Sequence, residues 1–389
     1  MNRILLASGI ACASALLPFS VEATTFSSLT IFGDSLMDTG NLYNITDPFG
    51  FGIGIPPSPP YNQRNVNDLL WIDMVQQELG LSPVLLTELI VNPDPRRAAE
   101  GINFASAGAL SSDVHVADDQ IPLLDPFLLG LQEQIDLFSL FTTVRPADPT
   151  GLYAVWAGAN DYTDFFFDPT SAGGLSPAEL PMAVTDNVVG SVVELAQLGA
   201  KYILVPNLPS LGLLPFADFL NPLDPQQDIP ALLSQLSAAH NQLLAAKLAA
   251  VEAQFDGLNV IELDIESLFA SAIANPADFG FTNVDTPCLI NFQPGFQFDG
   301  VCDNPDEFLF WDDVHPTSAA HAKVAELALA TLMTEKSDDA IDPVLGVEMG
   351  AENSAAAPEP GVLWGALGAF GLVGLGRRRQ SASSVKAAA

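Results

Sequence analysis

Short apolar segments separated by stretches of helical periodicity constrain this chain more than any other feature. Residues 151–156, 202–205 and 259–263 are predominantly apolar, as expected of strands buried on both faces of a sheet. Apolar residues recur at helical spacing in residues 69–77, 128–141, 177–198, 231–255 and 318–332. This alternation predicts an α/β domain with a mainly parallel sheet and helices on both faces. The functional site of such a sheet lies at the carboxyl ends of its strands.

A serine stands just beyond another predicted strand. Residues 29–32 are β-branched and apolar, and they stop at Gly33, after which Ser35 lies between Asp34 and Asp38. A strand that ends in a sharp glycine turn can present a serine hydroxyl at the rim of the sheet. That hydroxyl is a candidate nucleophile if a base lies within hydrogen-bond reach. A serine in a turn is more often a cap, so the decision depends on finding the base.

Elimination among the four histidines indicates the base. His240 lies within a long Ala/Leu helix, His321 within the last predicted helix, and His115 in an acidic loop. His315 differs from them because it stands in the run Trp-Asp-Asp-Val-His-Pro-Thr, residues 311–317.

The residues beside His315 provide what a catalytic base requires. Pro316 holds His315 in an extended conformation. Asp312, three residues upstream, can fold back onto Nδ1, fix the tautomer and leave Nε2 to accept the serine proton. Asp313 is the competing carboxylate, and we expect it to face solvent or the loop.

An ester hydrolase also needs donors aimed at a tetrahedral oxyanion. The backbone N–H of Ser35 is one candidate. Gly108 can bring a second N–H close because it has no Cβ, and Asn160 follows a buried strand and offers a side-chain amide. Taken alone, each of the last two is a weak signal, since a glycine in such a turn and an asparagine in a loop are usually structural.

Four segments in the expected order resemble the signature blocks of the SGNH, or GDSL, hydrolases: residues 32–41, 101–109, 158–161 and 312–316. The resemblance covers roughly residues 30–332, and the first segment is most similar to the secreted lipase, lecithinase and autotransporter-esterase branch. It implies a three-layer α/β/α sandwich around a five-stranded parallel sheet. No cofactor is expected, and no Cys/His pattern suggests a metal site.

The resemblance also implies roles for individual residues. Ser35 would be the nucleophile, His315 the base and Asp312 its orienting acid. Ser35, Gly108 and Asn160 would form the oxyanion hole.

Two positions depart from the family pattern, and the substrate is only loosely indicated. Gln63 and Asp68 stand where the family usually has glycine, which alters the expected shape of a loop beside the pocket. The apolar residues 49–55 and 165–167 would either line an acyl pocket or anchor buried loops. If they line the pocket, the natural substrate is a carboxyl ester with a short or medium acyl chain.

Three functions remain open at this stage. The favoured one is a serine ester hydrolase acting on a small-molecule, lipid or sugar ester. An exopolysaccharide-modifying acyltransferase or deacetylase would use the same triad, and a non-catalytic matrix protein would require a degraded triad that the sequence does not have. The net charge of −34 excludes nucleic acid as a partner. It also disfavours anionic membranes, and therefore a phospholipase.

The amino-terminal residues have the layout of a secretory signal peptide. Residues 1–23 carry one positive charge at Arg3, an apolar run, and Val21-Glu22-Ala23 before Thr24. This pattern predicts cleavage after Ala23.

The carboxyl-terminal residues 358–389 resemble a PEP-CTERM sorting signal. Pro358-Glu359-Pro360 precedes an uncharged apolar run, residues 361–376, that closes on three arginines. The run is short of the ~20 residues that comfortably span a bilayer, and the arginines would hold its end on the cytoplasmic side. The resemblance implies export from a Gram-negative bacterium, a transient transmembrane helix, and processing by an exosortase. The product would reside at the cell surface or outside the cell.

These signals divide the chain. A single hydrolase domain is expected over residues 24–332, and residues 333–357, small, polar and aperiodic, are predicted to be a flexible linker. Cys288 and Cys302 are the two cysteines left after signal removal, and we expect them to form a disulfide. It would close a loop of about fifteen residues, worth about 3 kcal/mol in the chain-entropy model.

Overall fold

The domain is built on a six-stranded sheet. The computed structural model describes residues 26–47, 54–117, 124, 127–167, 174–220, 228–293 and 295–339. The strands of the sheet are β1 (Leu29–Gly33), β2 (Val84–Leu85), β3 (Ile102–Asn103), β4 (Leu152–Trp156), β5 (Tyr202–Pro206) and β6 (Asn259–Leu263). Their order is β2-β3-β1-β4-β5-β6, and every neighbouring pair is parallel.

The predicted α/β class with a parallel sheet is confirmed, but the sheet has six strands where five were expected. The two strands β2 and β3 have two residues each. A segment that short produces no apolar run, so the sequence pattern could not indicate it.

Helices cover both faces of the sheet. They are α1 (Asn41–Thr46), α2 (Trp71–Glu78), α3 (Leu86–Val91), α4 (Leu131–Thr142), α5 (Ala159–Phe167), α6 (Leu180–Leu198), α7 (Pro215–Leu220), α8 (Ile229–Glu252), α9 (Ile265–Ala274), α10 (Pro276–Phe279) and α11 (Ser318–Asp339). The five helices expected from periodicity correspond to α2, α4, α6, α8 and α11. The last one continues past residue 332, so the first residues of the predicted linker are helical.

Alternation along the strands divides the core in two. Leu29 and Ile31 of β1 lie in one buried cluster with α2 and α11, whereas Phe32 lies in the other with α4 and α6. In β4, Ala154 and Val155 separate in the same way. Successive side chains of a strand point to opposite faces, so fully apolar strands require an apolar layer on each side.

A small subdomain lies outside the sheet. Its strands are β7 (Asn283–Pro287), β8 (Leu289–Ile290), β9 (Gly300–Val301) and β10 (Phe308–Phe310). Strand β7 pairs with β10 in parallel and β8 with β9 antiparallel. A disulfide joins Cys288 to Cys302. The loop that this disulfide closes therefore contains a short antiparallel strand pair.

The structure corrects one expectation from the sequence, and other expectations concern residues outside those it describes. Residues 165–167 are not a loop but the last residues of α5, where Phe165 is buried and Phe167 is half-exposed against Phe216. Most of the apolar stretch at residues 49–55, the signal peptide and the sorting segment lie outside the described residues. Within the described ranges, none of the helices is both long and apolar enough to cross a bilayer.

Gly101 marks the closest approach of the chain to β1. Its φ is +110°, and a Cβ built there would overlap the Leu29 carbonyl. Gly190 is a contrasting glycine, exposed on α6, where an added Cβ would meet no atom within 4 Å.

These two glycines predict opposite effects of the same substitution. Gly101→Ala should lower the free energy of unfolding by about 2–4 kcal/mol, because both the backbone conformation and the space exclude a side chain. Gly190→Ala should raise it by about 0.5–1 kcal/mol, because alanine loses less backbone entropy in a helix. Urea unfolding midpoints measure both, and shifts of the same sign would contradict the packing described for Gly101.

Candidate active site

The turn after β1 is shaped by Gly33. Its φ is +145°, and a Cβ would overlap the Trp156 carbonyl of β4. The side chain of Gln134 in α4 makes two hydrogen bonds to the backbone of this residue. Gly33 N–H donates to Gln134 Oε1 (2.8 Å), and Gln134 Nε2 donates to the Gly33 carbonyl (2.9 Å). The chain therefore leaves the sheet sharply at Gly33 and places Ser35 at the carboxyl edge.

The structure brings together the three residues predicted as a triad. His315 Nε2 lies 2.9 Å from Ser35 Oγ, and His315 Nδ1 lies 2.8 Å from Asp312 Oδ2 and 2.9 Å from Oδ1. With its proton on Nδ1, His315 donates to the carboxylate, and Nε2 is left to accept the serine proton.

The turn that carries His315 is tightly held. Trp311 N–H donates to the His315 carbonyl (2.7 Å), and the N–H groups of Val314 and His315 donate to Asp312 Oδ1 (2.9 and 2.7 Å). The side chain of Asp313 is partly buried and makes no hydrogen bond to His315. Asp312 is therefore the carboxylate that orients the ring.

Charge interactions raise the pKa of His315 above its ordinary value. Burial of the ring lowers the pKa, but attraction to Asp312, the hydrogen bond to that carboxylate and a further attraction to Asp34 more than offset it. Burial likewise raises the pKa of Asp312, and the interactions with His315 together with a hydrogen bond from Tyr61 hold it below its usual range. The pair therefore favours a charged carboxylate and a basic imidazole.

The loop of Gly108 is fastened to the turn of Ser35. Ser106 N–H donates to the Gly33 carbonyl (3.0 Å) and Ala107 N–H to Asp38 Oδ2 (2.9 Å). Among the described residues, the backbone N–H groups of Ser35 and Gly108 donate to no acceptor. Two uncommitted N–H groups on adjoining loops match the requirement for oxyanion donors.

Asn160, the third predicted donor, lies in the first turn of α5. Its Nδ2 donates to the Ala109 carbonyl (2.9 Å), and one further amide hydrogen remains on that nitrogen. The next residue, Asp161, accepts hydrogen bonds from Ser111 N–H (2.9 Å) and Ser111 Oγ (2.7 Å). These bonds join the start of α5 to the Gly108 loop.

His115 has a role that its sequence position did not indicate. It is buried, its Nε2 lies 2.7 Å from the Ala107 carbonyl, and its Nδ1 accepts from Ala117 N–H (3.1 Å). Burial lowers its pKa to about 4, so the ring is neutral and Nε2 carries the proton. The Ala107 carbonyl and the Gly108 N–H belong to one peptide unit. This contact therefore fixes the direction of a candidate oxyanion donor.

Two further residues reach the triad from the loop that precedes α2. Asn65 Nδ2 lies 3.2 Å from His315 Nε2, and the Tyr61 hydroxyl donates to Asp312 Oδ2 (2.7 Å). Both contacts join residues about 250 positions apart in the chain, and no local sequence signal marks them. In the same loop, Asn67 Oδ1 accepts from Ser318 N–H (2.8 Å) and helps to fix the start of α11.

This arrangement has the parts needed for nucleophilic acyl transfer. A serine hydroxyl, an oriented imidazole, a buried carboxylate and uncommitted N–H groups meet at one edge of the sheet. No group of three or more His, Cys, Asp or Glu side chains in the described part of the chain has the arrangement of a metal site.

Comparisons with known proteins agree with the class of site. The family described as GDSL-like Lipase/Acylhydrolase matches residues 29–328. Acetylajmalan esterase 2 of Rauvolfia serpentina is 28% identical over 340 residues, which cover 80% of this chain and 91% of that protein. A GDSL esterase/lipase of Arabidopsis thaliana is 29% identical over 344 residues, which cover 78% and 85% of the two chains.

Similarity to solved structures is found at lower sequence identity. Axe2, an acetylxylan esterase from Geobacillus stearothermophilus, is 14% identical to this chain with a TM-score of 0.37. The alignment covers 79% of this chain and 94% of that one.

The four histidines should titrate in a distinctive pattern. His315 should have a pKa above 6.5, whereas burial lowers the pKa of His115 to about 4 and those of His240 and His321 to about 3. NMR titration of ¹⁵N-histidine-labelled protein measures all four.

Asp312→Asn tests the cause of the pattern. Without the carboxylate, burial dominates, and the pKa of His315 should fall below 6.5 while those of His115 and His240 stay unchanged. His321 interacts with the charge of His315 and is therefore not a control. Asp313→Asn is the matched control, and the two variants would have equal effects if Asp312 did not orient the ring.

Proposed function

Because the chain belongs to the GDSL-like lipase/acylhydrolase family and is an ester hydrolase, we propose that it cleaves carboxyl esters through a covalent acyl-enzyme on Ser35. One observation carries the proposal: His315 Nε2 lies 2.9 Å from Ser35 Oγ while Nδ1 is held by Asp312. That distance is within the range required for proton transfer from a nucleophile to its base.

In the acylation step, the bond from the acyl carbon to the alcohol oxygen is replaced by a bond to Ser35 Oγ, and one proton passes from the serine to the alcohol. Ser35 Oγ attacks the ester carbonyl carbon as His315 Nε2 takes the hydroxyl proton. The negative charge that forms on the carbonyl oxygen is stabilised by the N–H groups of Ser35 and Gly108 and by the Asn160 amide. Collapse breaks the bond to the alcohol oxygen, which receives the proton from Nε2 and leaves.

Deacylation restores the enzyme by the reverse proton path. Water attacks the acyl carbon and gives its proton to His315 Nε2. The bond to Ser35 Oγ then breaks, and Oγ takes the proton back as the carboxylic acid leaves. Asp312 remains ionised throughout and stabilises the imidazolium.

Hydrolysis of p-nitrophenyl acetate, butyrate and palmitate tests the nucleophile. Ser35→Ala should lower kcat/KM by more than about a hundredfold, as expected for loss of a triad nucleophile. Ser106→Ala is the matched control, since that buried hydroxyl has no hydrogen-bond partner in the described structure, and it should keep the wild-type rate. The chain-length profile would define the acyl group.

Two results would contradict the proposal. Equal near-background rates for the wild type and Ser35→Ala would exclude simple ester hydrolysis at Ser35. Diversion of the acyl group from free acid to an added sugar acceptor would identify an acyltransferase that uses the same residues.

We propose further that the protein is exported. The layout of residues 1–23 and the resemblance of residues 358–389 to a PEP-CTERM signal support this, and a disulfide between Cys288 and Cys302 suits an oxidising compartment. In this proposal the sorting segment holds the chain at the membrane until an exosortase releases it.

Mass spectrometry of protein from a Gram-negative host tests export. The mature amino terminus should be Thr24, and the two cysteines should be protected from alkylation. Ala23→Tyr, which places a large side chain at the cleavage position, should block processing. Unprocessed protein with free thiols in the cytoplasm would contradict export, and hosts with and without an exosortase would separate the two processing events.

A further inference from the structure

Tyr61 makes a contact with the triad that the proposed mechanism does not use. Its side chain is 2% exposed, and its hydroxyl lies 2.7 Å from Asp312 Oδ2. A carboxylate can only accept, so Tyr61 is the donor. Burial, followed by the neighbouring Asp312, raises the pKa of Tyr61, and the phenol therefore keeps its proton.

The two oxygens of Asp312 are held differently. Oδ1 accepts backbone N–H groups from Val314 and His315 of its own turn. Oδ2 lies closer to His315 Nδ1 and accepts from Tyr61. Apart from His315, Tyr61 is the one side chain of the described residues that donates to this carboxylate. It fixes the rotation of the carboxylate plane and takes up part of its negative charge.

Aromatic packing holds Tyr61 in place. Its ring meets Trp311 edge-to-face at 6.0 Å and Phe296 edge-to-face at 5.5 Å. Tyr61, Trp311, Cys288 and Leu289 form a small buried cluster, against which Phe296 packs. This cluster is separate from the two that sandwich the sheet.

The disulfide closes the segment that carries Phe296. Cys288 N–H donates to the Phe310 carbonyl (3.0 Å), and Leu289 N–H donates to the Trp311 carbonyl (2.9 Å), immediately before Asp312. One segment, residues 288–302, thus supports both the Tyr61 ring and the backbone that leads into the triad.

We propose that Tyr61 is a positioning residue for Asp312 and that the disulfide-closed segment 288–302 is the support that holds it there. The catalytic consequence rests on the proposed function. The expected change in the pKa of His315 does not rest on the proposed function.

Tyr61→Phe removes only the hydroxyl. Without the hydrogen bond from Tyr61, the Asp312 carboxylate attracts the protonated ring of His315 more strongly. The pKa of His315 therefore rises, and the acid limb of the pH profile of kcat/KM moves to higher pH. The loss of orientation should lower kcat about tenfold with little change in KM. The other titratable groups facing these residues are Asp34, His321 and Asp313, and the substitution leaves all three unchanged.

Tyr153→Phe is the matched control. Tyr153 is equally buried, and its hydroxyl donates to the Asp148 carbonyl (3.1 Å) away from the triad. This variant should keep the wild-type pH profile and kcat. If both variants lose activity equally and neither profile moves, Tyr61 is only a packing residue and the proposal is wrong.

NMR titration of His315 separates this proposal from the proposed function, because it needs no substrate. An upward shift in Tyr61→Phe in a protein without Ser35-dependent hydrolysis would reject the proposed function and keep the role of Tyr61. Active enzyme with an unmoved His315 titration and an unmoved profile would reject the role of Tyr61 alone.

The support is tested by reducing the disulfide in folded protein, with circular dichroism to verify the fold. Reduction should lower kcat in the wild type and add nothing in Tyr61→Phe, because the contact it disturbs is already lost. If reduction lowered kcat by the same factor in the wild type and in Tyr61→Phe, the disulfide would act through some contact other than that of Tyr61. That part of the proposal would then be wrong. Phe296→Leu, which keeps the disulfide and removes the ring contact, should shift the profile in the same direction as Tyr61→Phe. An unmoved profile would count against the support.

Discussion

One buried carboxylate holds the site together. Asp38 accepts backbone hydrogen bonds from Gly40, Asn41, Leu42 and Ala107. The first three close the turn that carries Ser35 and begin α1, and the fourth fixes the loop of Gly108 beside it. Burial raises the pKa of Asp38, whereas these N–H groups lower it. Asp38 thus joins the turn of Ser35 to the loop of Gly108, together with the backbone bond from Ser106 to the Gly33 carbonyl.

Acidic side chains dominate this edge of the sheet. Burial raises the pKa of Asp34 to about 7 and that of Asp161 to about 6, whereas attraction to His315 and the hydrogen bonds hold the pKa of Asp312 below its usual range. The site therefore contains carboxyl groups with different proton affinities, set by burial, by nearby charges and by the hydrogen bonds that each one accepts. Asp312 is hydrogen-bonded to His315, and the attraction between the two side chains lowers its pKa, whereas the four backbone donors of Asp38 leave the pKa of that carboxyl raised. Asp34 adds a further attraction that raises the pKa of His315.

The sequence predicted what depends on local pattern. The strand at 259–263 has the same limits in the structure, and the triad spacing of Asp312 and His315 needed only a three-residue turn. The contacts of Tyr61 and Asn65 could not be predicted, because they depend on how a proline-rich loop packs over the triad. The burial of His115 could not be predicted either, because its acidic neighbours in the sequence indicate an exposed loop. Strands β2 and β3 were missed because two residues cannot display a period.

Ser35 and His315 are 280 residues apart, near opposite ends of the domain. A growing chain leaves the ribosome amino end first, so Ser35 and the sheet strand that carries it appear long before His315. Until β10 and the turn after it have emerged, the serine has no partner to take its proton. Synthesis thus has a built-in delay, in which the domain can form most of its sheet while remaining chemically silent. His315, on which the proposed mechanism depends, arrives with the last fifth of the polypeptide.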